Sequence, residues 1–224
     1  MSVRNCLVPI KEGAVKAPAE KRSDRKHRQI MQAATKTFVA AGYDGTSMDE
    51  IAAKASVSKQ TIYKHFSDKD HLFTEIVLAT TQQVDHVVGL VANTLSDSED
   101  IAHDLGRLGR TFVDVLMAEE LLQIRRLVIA NADRMPDLGR SWYDQGFGRI
   151  LAMLASCFRT LAEKKLLRIE DPHLAANHFA GMLLWIPMNE AMFTANNTPR
   201  TKAQLDRLAA AAVRAFLAAY GARP

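Results

Sequence analysis

Residues 58–69 read SKQTIYKHFSDK and place hydroxyls, an amide, a phenol, an imidazole and three ammonium groups on one short stretch. Ile62 and Phe66 stand four apart and mark the inner face of a two-turn helix, so Lys59, Gln60, Thr61, Tyr63, Lys64 and His65 cover the rest. That outer face suits a DNA duplex. Cations and hydroxyls meet phosphates, while an amide or hydroxyl reaches base edges in the major groove. Enzymatic readings fail for want of partners. Ser56 and Lys59 fit S-x-x-K, but neither S-D-N nor K-T-G occurs. His173 and His178 lie five apart, on different faces of a helix, and Gly146 with Gly148 follows no strand and lacks a third glycine. No catalytic residue, metal ligand or cofactor is expected.

The flanking residues predict how this face is held. Ser47 and Glu50 form a capping-box pattern that starts a helix at Met48 and buries Ile51, Ala52 and Ala55. The run Ser56, Val57, Ser58 competes with helical hydrogen bonding and sets a turn. Ser58 then caps the second helix, with Val57 and Ile62 spaced as a hydrophobic staple. Two helices around a tight turn read as a helix-turn-helix. A bracing helix over residues 24–41 carries Ile30, Ala33, Ala34, Thr37, Phe38 and Ala41 at helical spacing and stops at Gly42. Ser67 or Asp68 caps one long helix reaching residue 95, and a loop and cap follow over residues 96–100. Further helices are expected at 100–117, 119–133, 137–166, 172–195 and 201–220, capped among others by Asp171 before Pro172 and by Thr201. The chain is therefore all-α, with about nine helices in total and no segment alternating like a strand.

Residues 27–73, above all GYDGTSMDEIAAKASVSKQTIYKHFSDKDHLF, resemble the N-terminal domain of the tetracycline-repressor (TetR) family of bacterial regulators. Gly42, Tyr43, Thr46, Ile51, Ala52, Ala55, Val57, Ser58, Tyr63, Phe66, Lys69 and Leu72 all fit its pattern without a gap. LQIRRLVIANADRMPDLGRSWYDQG and DPHLAANHFAGML resemble the subgroup related to the AefR and AcrR regulators. The resemblance implies a homodimer whose N-terminal helix-turn-helix domains bind a palindromic double-stranded operator and whose C-terminal domains bind an effector. The DNA-facing set expected is Ser47, Ser58, Lys59, Gln60, Thr61, Tyr63, Lys64 and His65, with Lys69 clamping a phosphate.

Composition agrees. With 224 residues, 48% of them hydrophobic and 24% charged, the chain can bury a sizeable core as one or two domains. Residues 1–36 hold nine Lys or Arg against three acids, so the +4 net charge is concentrated beside the helix-turn-helix, where it can attract phosphates. Cys6 and Cys157 suggest neither a disulfide framework nor a zinc site. Pro9, Lys11 and Glu12 break the only apolar patch near the N-terminus, and no run approaches the roughly 20 apolar residues of a membrane span. A cytoplasmic location without membrane contact is expected. The domains are a mobile basic tail at 1–22, a DNA-binding domain at 23–70 and a ligand-binding and dimerisation domain at 71–224.

The C-terminal half is rich in adaptable apolar side chains, including Tyr143, Met182, Met192 and Phe193. Phe112, Met117, Trp142, Phe147, Trp185 and Met188 are the expected lining of a cavity for a small apolar or amphipathic effector. Most such residues at helical spacing are simply core, so the resemblance supports the cavity as a whole more than any one of them. Pro187 should kink its helix near Leu183 or Leu184. The alanine-rich last helix, with the one at 172–195, matches the pair that forms the family's dimer interface, and Ala209, Ala212, Val213 and Phe216 are its expected contacts. The function expected is a ligand-responsive transcriptional repressor. The rivals are an architectural DNA binder without an inducer and a helical small-molecule binder with a vestigial DNA-binding domain.

Overall fold

The computed structural model describes residues 22–95, 98–194 and 200–222; the expected tail, except Arg22, and Cys6 lie outside the described residues. The described chain is all helix apart from an isolated antiparallel bridge between Leu167 and Gly221. In chain order come α1 (Arg22–Ala41), α2 (Met48–Lys54), α3 (Lys59–His65), α4 (Lys69–Ala79), α5 (Gln82–Leu95), α6 (Ile101–Leu116) and α7 (Glu119–Ala130). Then follow α8 (Pro136–Tyr143), a π-helical turn (Asp144–Gly148), α9 (Arg149–Glu163), α10 (Pro172–Phe193) and α11 (Lys202–Tyr220). No helix among the described residues is long and apolar enough to cross a membrane.

Among the described residues eleven α-helices replace the expected nine because two long helices are each interrupted. The helix expected over 68–95 breaks after Ala79, where Thr80 Oγ1 and Thr81 Oγ1 turn back onto the carbonyls of Val77 and Leu78 at 2.6 and 2.7 Å. Consecutive β-branched hydroxyl residues that bond their own helix are poor continuers of it. The helix expected over 137–166 keeps its course but widens into the π-turn, with Gly146 and Gly148 inside it. Other boundaries follow the predicted caps. Gly42 ends α1 in the left-handed region at φ 73°, with its N–H on the Phe38 carbonyl at 2.8 Å. Asp171 accepts from the N–H groups of His173 and Leu174, and Thr201 with Gln204 makes a complete capping box. The Ser47 box is only half made: Ser47 accepts from the Glu50 N–H, but the Glu50 carboxylate pairs with Lys54 at 2.7 Å instead. Helix α10 runs unbroken from Pro172 to Phe193, with Pro187 inside it.

Two hydrophobic clusters organise these helices. The first joins Ile30, Ala34 and Phe38 of α1 to Ile51, Ile62, Phe66 and, on α4, Leu72, Phe73, Ile76 and Val77. Drawn on packing, the N-terminal unit thus runs on through most of α4, and it also takes in Ile124, Leu127 and Val128 of α7 and Leu138 of α8. The second cluster gathers α5, α6, α9, α10 and α11 around the rings of Phe112, Phe158, Phe179 and Phe216. Phe158 and Phe179 meet edge to face at 5.8 Å, and Phe216 lies 5.1–5.2 Å from both. Helices α6 and α11 approach closely because Gly109 leaves room; a Cβ there would stand 3.1 Å from Val213 Cγ2.

This packing relocates two sets of expected residues. Ala209, Ala212, Val213 and Phe216 face the protomer's own core, since the inner face of α11 is what covers α6 and α10. They do not present a surface to a second copy. Phe112 is likewise fully buried against Phe179, so it fills the core rather than lining an opening. Phe216→Ala removes a ring from the centre of an aromatic cluster and should cost about 3–5 kcal/mol, read by urea denaturation. A loss below about 1 kcal/mol would place the ring in a region that relaxes freely.

Candidate nucleic-acid interface and effector cavity

Ser58 sets α3. Its Oγ accepts from the Thr61 N–H at 3.1 Å and shares a 2.8 Å hydrogen bond with Thr61 Oγ1. Seven residues make a helix too short to persist alone. Burial of Ile62 and Phe66 holds it against α1 and α2. The outer face is then open: Gln60, Tyr63 and Lys64 are exposed and have no side-chain hydrogen bond among the described residues. With Thr61 and His65 they border an open cleft of about 730 Å³ that Ser23 and Lys26, from the first turns of α1, close on the other side. Sequence reasoning missed Ser23 and Lys26, although the basic run at the start of α1 carried the signal. Ser47 is exposed at the start of α2, a neighbouring helix.

The charges on this face are loosely held. Lys59 pairs with Asp49 at 2.9 Å, and that hydrogen bond holds its pKa above the ordinary value. Both side chains are more than 60% exposed, so the pair is weak in water and a phosphate can replace the carboxylate. His65 is shifted the other way. Partial burial, then the positive surroundings of His27, Lys64 and Lys26, push its imidazole below the usual histidine range, while His27 itself reaches Glu75 at 2.7 Å.

Lys69 stands apart from this open face. Half buried, it donates to the carbonyls of Tyr43 and Thr46, each at 2.9 Å, and lies 4.2 Å from the centre of the Tyr43 ring. The Arg134 guanidinium, from the segment between α7 and α8, covers the same ring at 4.3 Å and pairs with Asp44 at 3.0 Å. The Tyr43 hydroxyl donates to Asp70. Two of the three ammonium protons are thus committed to the α1–α2 loop, which leaves one for an outside acceptor.

A second opening lies among α7, the π-turn and α10, a cavity of about 690 Å³ with mostly apolar walls. Of the residues named from sequence, Phe147, Trp185 and Met188 line it, joined by Tyr143, Met192 and Phe193. Trp185 and Phe193 are 69% and 83% exposed, which makes them its rim. Two other expected residues lie off its lining. Met117 packs on the C-terminal core, and Trp142 packs on both cores while its indole N–H donates to Thr80 Oγ1 at 3.0 Å. Among the lining residues that sequence reading did not single out are two cations, Arg125 and Arg126. Arg126 is spent on Glu119 and on the Ala191 carbonyl at 2.9 Å. Arg125 lies 5.1 Å from the Trp142 ring, and burial depresses its pKa. Its only signal in sequence was a cation between the apolar residues Ile124 and Leu127, which a snorkelling surface arginine gives equally well.

The lowered His65 pKa carries a stability consequence. The folded chain favours the neutral ring, so the unfolded chain binds the proton more readily, and stability is lost as pH falls through the ordinary histidine value of 6.5. His65→Gln should flatten that part of the denaturation free energy measured between about pH 8 and about pH 5. An identical slope in the variant would mean that His65 titrates as it does in a free peptide.

Comparison with known proteins agrees with this architecture. Residues 30–76 match the family described as bacterial regulatory proteins, tetR family, and residues 103–222 match the AefR-like transcriptional repressor, C-terminal domain. A crystal structure of a TetR-family transcriptional regulator from Mesorhizobium loti MAFF303099 is 58% identical, covers 90% of this chain and 100% of that one, and superposes with a TM-score of 0.81. The HTH-type transcriptional activator FasR of Mycolicibacterium smegmatis is 37% identical over 109 residues, 48% of this chain and 47% of that protein. The uncharacterised HTH-type transcriptional regulator YhgD of Bacillus subtilis is 51% identical over 53 residues, 24% of this chain and 27% of its own length. Against these curated relatives the chain spans about half of their length or less. A helix-turn-helix packed on an AefR-like helical domain over almost the whole described length makes this chain a member of the TetR family of non-enzymatic, DNA-binding transcriptional regulators.

Proposed function

We propose that the chain is a homodimeric repressor that grips a palindromic operator through the open face of α3 and releases it when a small apolar or amphipathic effector enters the cavity beside α7 and α10. The observation that carries this reading is that α7 belongs to both sites. Arg125, Arg126 and Ile129 border the cavity, while Ile124, Leu127 and Val128 of the same helix sit in the core of the DNA-binding unit. Repression, rather than the activation attributed to FasR, is favoured by the AefR-like repressor description of the C-terminal match.

In this reading Gln60 and Thr61 contact base edges, and Ser47, Ser58, Lys59, Tyr63, Lys64 and His65 contact the backbone, with Lys26 reaching phosphate from α1. Lys69 acts chiefly by fixing the loop and offers its remaining proton to a phosphate. The second copy packs on the outer faces of α10 and α11. Leu174, Met182, Trp185 and Ile186 are large exposed apolar residues at helical spacing on α10, beside exposed Ala211, Ala215 and Ala218 on α11. A patch of this kind is disfavoured on a monomer. An effector that favours a dimer with wrongly spaced recognition helices lowers operator affinity by the same factor by which operator lowers effector affinity. The Thr80–Thr81 break, tied to Trp142, gives α4 a place to pivot.

Two measurements test the reading. In fluorescence anisotropy with promoter fragments, Tyr63→Ala and Lys64→Ala should weaken binding to every sequence, and Gln60→Ala should cost about 1–3 kcal/mol at one operator position only. Unchanged operator affinity in all three would remove α3 from the interface, and a DNA-competent dimer released by none of a broad lipophilic panel would favour an architectural role. In sedimentation velocity, Ile186→Asp should yield folded monomers, because an unpaired charge at an apolar interface is strongly disfavoured. A stable dimer carrying it would put the interface elsewhere.

A further inference from the structure

Arg125 stands in the wall of the cavity beside α7 and α10, partly buried, with no salt-bridge or hydrogen-bond partner for its guanidinium among the described residues. Its Nε is buried without a hydrogen-bond acceptor, and no carboxylate pairs with its guanidinium among the described residues. Its neighbour Arg126 shows what the local acids and carbonyls can supply, and uses it up: Glu119 at 3.5 Å and the Ala191 carbonyl at 2.9 Å both go to Arg126. What Arg125 has instead is the Trp142 ring on one side and the apolar cavity on the other. A guanidinium stays charged when buried, and leaving that charge in an apolar wall without a counter-ion is costly. An anion entering the cavity would supply the acceptor that the surrounding described residues do not.

We infer that the cavity selects amphipathic carboxylates, with the carboxylate head paired to Arg125 and the apolar body lying along Phe147, Trp185 and Met188. This names the ligand class of the effector site proposed above and rests on that proposal. The fork of guanidinium donors matches a carboxylate's two oxygens, and the surrounding apolar wall strengthens the pair relative to water. A neutral lipophile would fill the same walls and leave the guanidinium unsatisfied. The direction of signalling follows from the same contacts. A carboxylate that draws the guanidinium toward the cavity takes it off Trp142, whose indole N–H holds Thr80 at the break between α4 and α5. The head group thereby loosens the helix that carries Leu72, Phe73 and Ile76 into the DNA-binding core.

The experiment compares acids with alcohols of the same body: dodecanoate with dodecanol, below micellar concentrations, and naphthoate with naphthalenemethanol. Binding to the full chain is followed by calorimetry, and operator release by anisotropy, in the wild type, Arg125→Gln and Arg125→Lys. Each variant is first checked for cooperative thermal unfolding, and its own operator affinity without ligand is the reference against which release is read. The wild type should bind at least one acid about tenfold or more tighter than its alcohol, and only the acid should release operator at low concentration. Arg125→Gln should bring that ratio near one while leaving alcohol binding as it was, and Arg125→Lys should keep part of it. Alcohols binding as tightly as acids, or a preference that survives Arg125→Gln, overturns the inference and leaves an apolar effector site standing. If neither acids nor alcohols bind to an operator-competent protein, this inference fails; if the broad lipophilic panel also fails to release operator, the effector reading itself falls with it.

Discussion

Two cations, Lys69 on α4 and Arg134 beyond α7, lie over the Tyr43 ring, and that cluster is the constraint around which the two halves of the molecule are arranged. Tyr43 is almost fully buried, stacks on Phe38 and meets Phe73 edge to face at 5.1 Å, so it belongs to the core of the DNA-binding unit. Arg134 comes from the segment between α7 and α8. Cation–π contacts of this kind contribute about 0.5–2 kcal/mol each, growing as water is excluded. Here they add to the Lys69 hydrogen bonds on the loop carbonyls and to the Arg134–Asp44 pair. The α1–α2 loop, which sets how α2 and α3 leave α1, is thus fixed by both α4 and the segment between α7 and α8.

A shared core follows from the same geometry. Because α7 and α8 contribute Ile124, Leu127, Val128 and Leu138 to the N-terminal cluster, the boundary between the DNA-binding unit and the C-terminal helices is a packed surface and not a linker. Packed interiors do not deform continuously; they move between discrete arrangements. The Thr80–Thr81 break and the π-turn supply the places where such a rearrangement costs least, since both lie outside regular α-helical hydrogen bonding. Trp142 touches all of this: its ring contacts both cores, its indole N–H holds Thr80, and Arg125 covers it from the cavity side.

The two proposed sites follow different physical rules. The α3 face is exposed, cationic and loosely paired, as a surface that exchanges counter-ions for phosphates must be. The cavity is apolar and largely preformed, with few polar groups, so that each one weighs heavily on what can bind. Arg125, whose Nε has no hydrogen-bond acceptor among the described residues, stands out among the cavity's walls.

Local chemistry in the sequence determined the helix-turn-helix almost residue by residue. Ser58, Asp68, Asp171 and Thr201 cap the helices they were expected to cap, Gly42 stops α1, and Ile62 with Phe66 divide α3 into an inner and an outer face. Caps, staples and short helical periods act over three or four residues, so they are legible in one dimension. Tertiary structure decided everything that depends on which face meets which neighbour. Helical spacing marked Ala209, Ala212, Val213 and Phe216 as a contact surface, but only packing against α6 and α10 settled that the contact is within the protomer. The same ambiguity placed Phe112 in a cavity wall and left Arg125 looking like a surface cation. The two helix interruptions escaped notice because threonine and glycine are tolerated inside helices until neighbours bond to or crowd them. A side chain's period tells that it is buried or exposed on average; the partner that buries it lies elsewhere in the chain, and distance in sequence hides it.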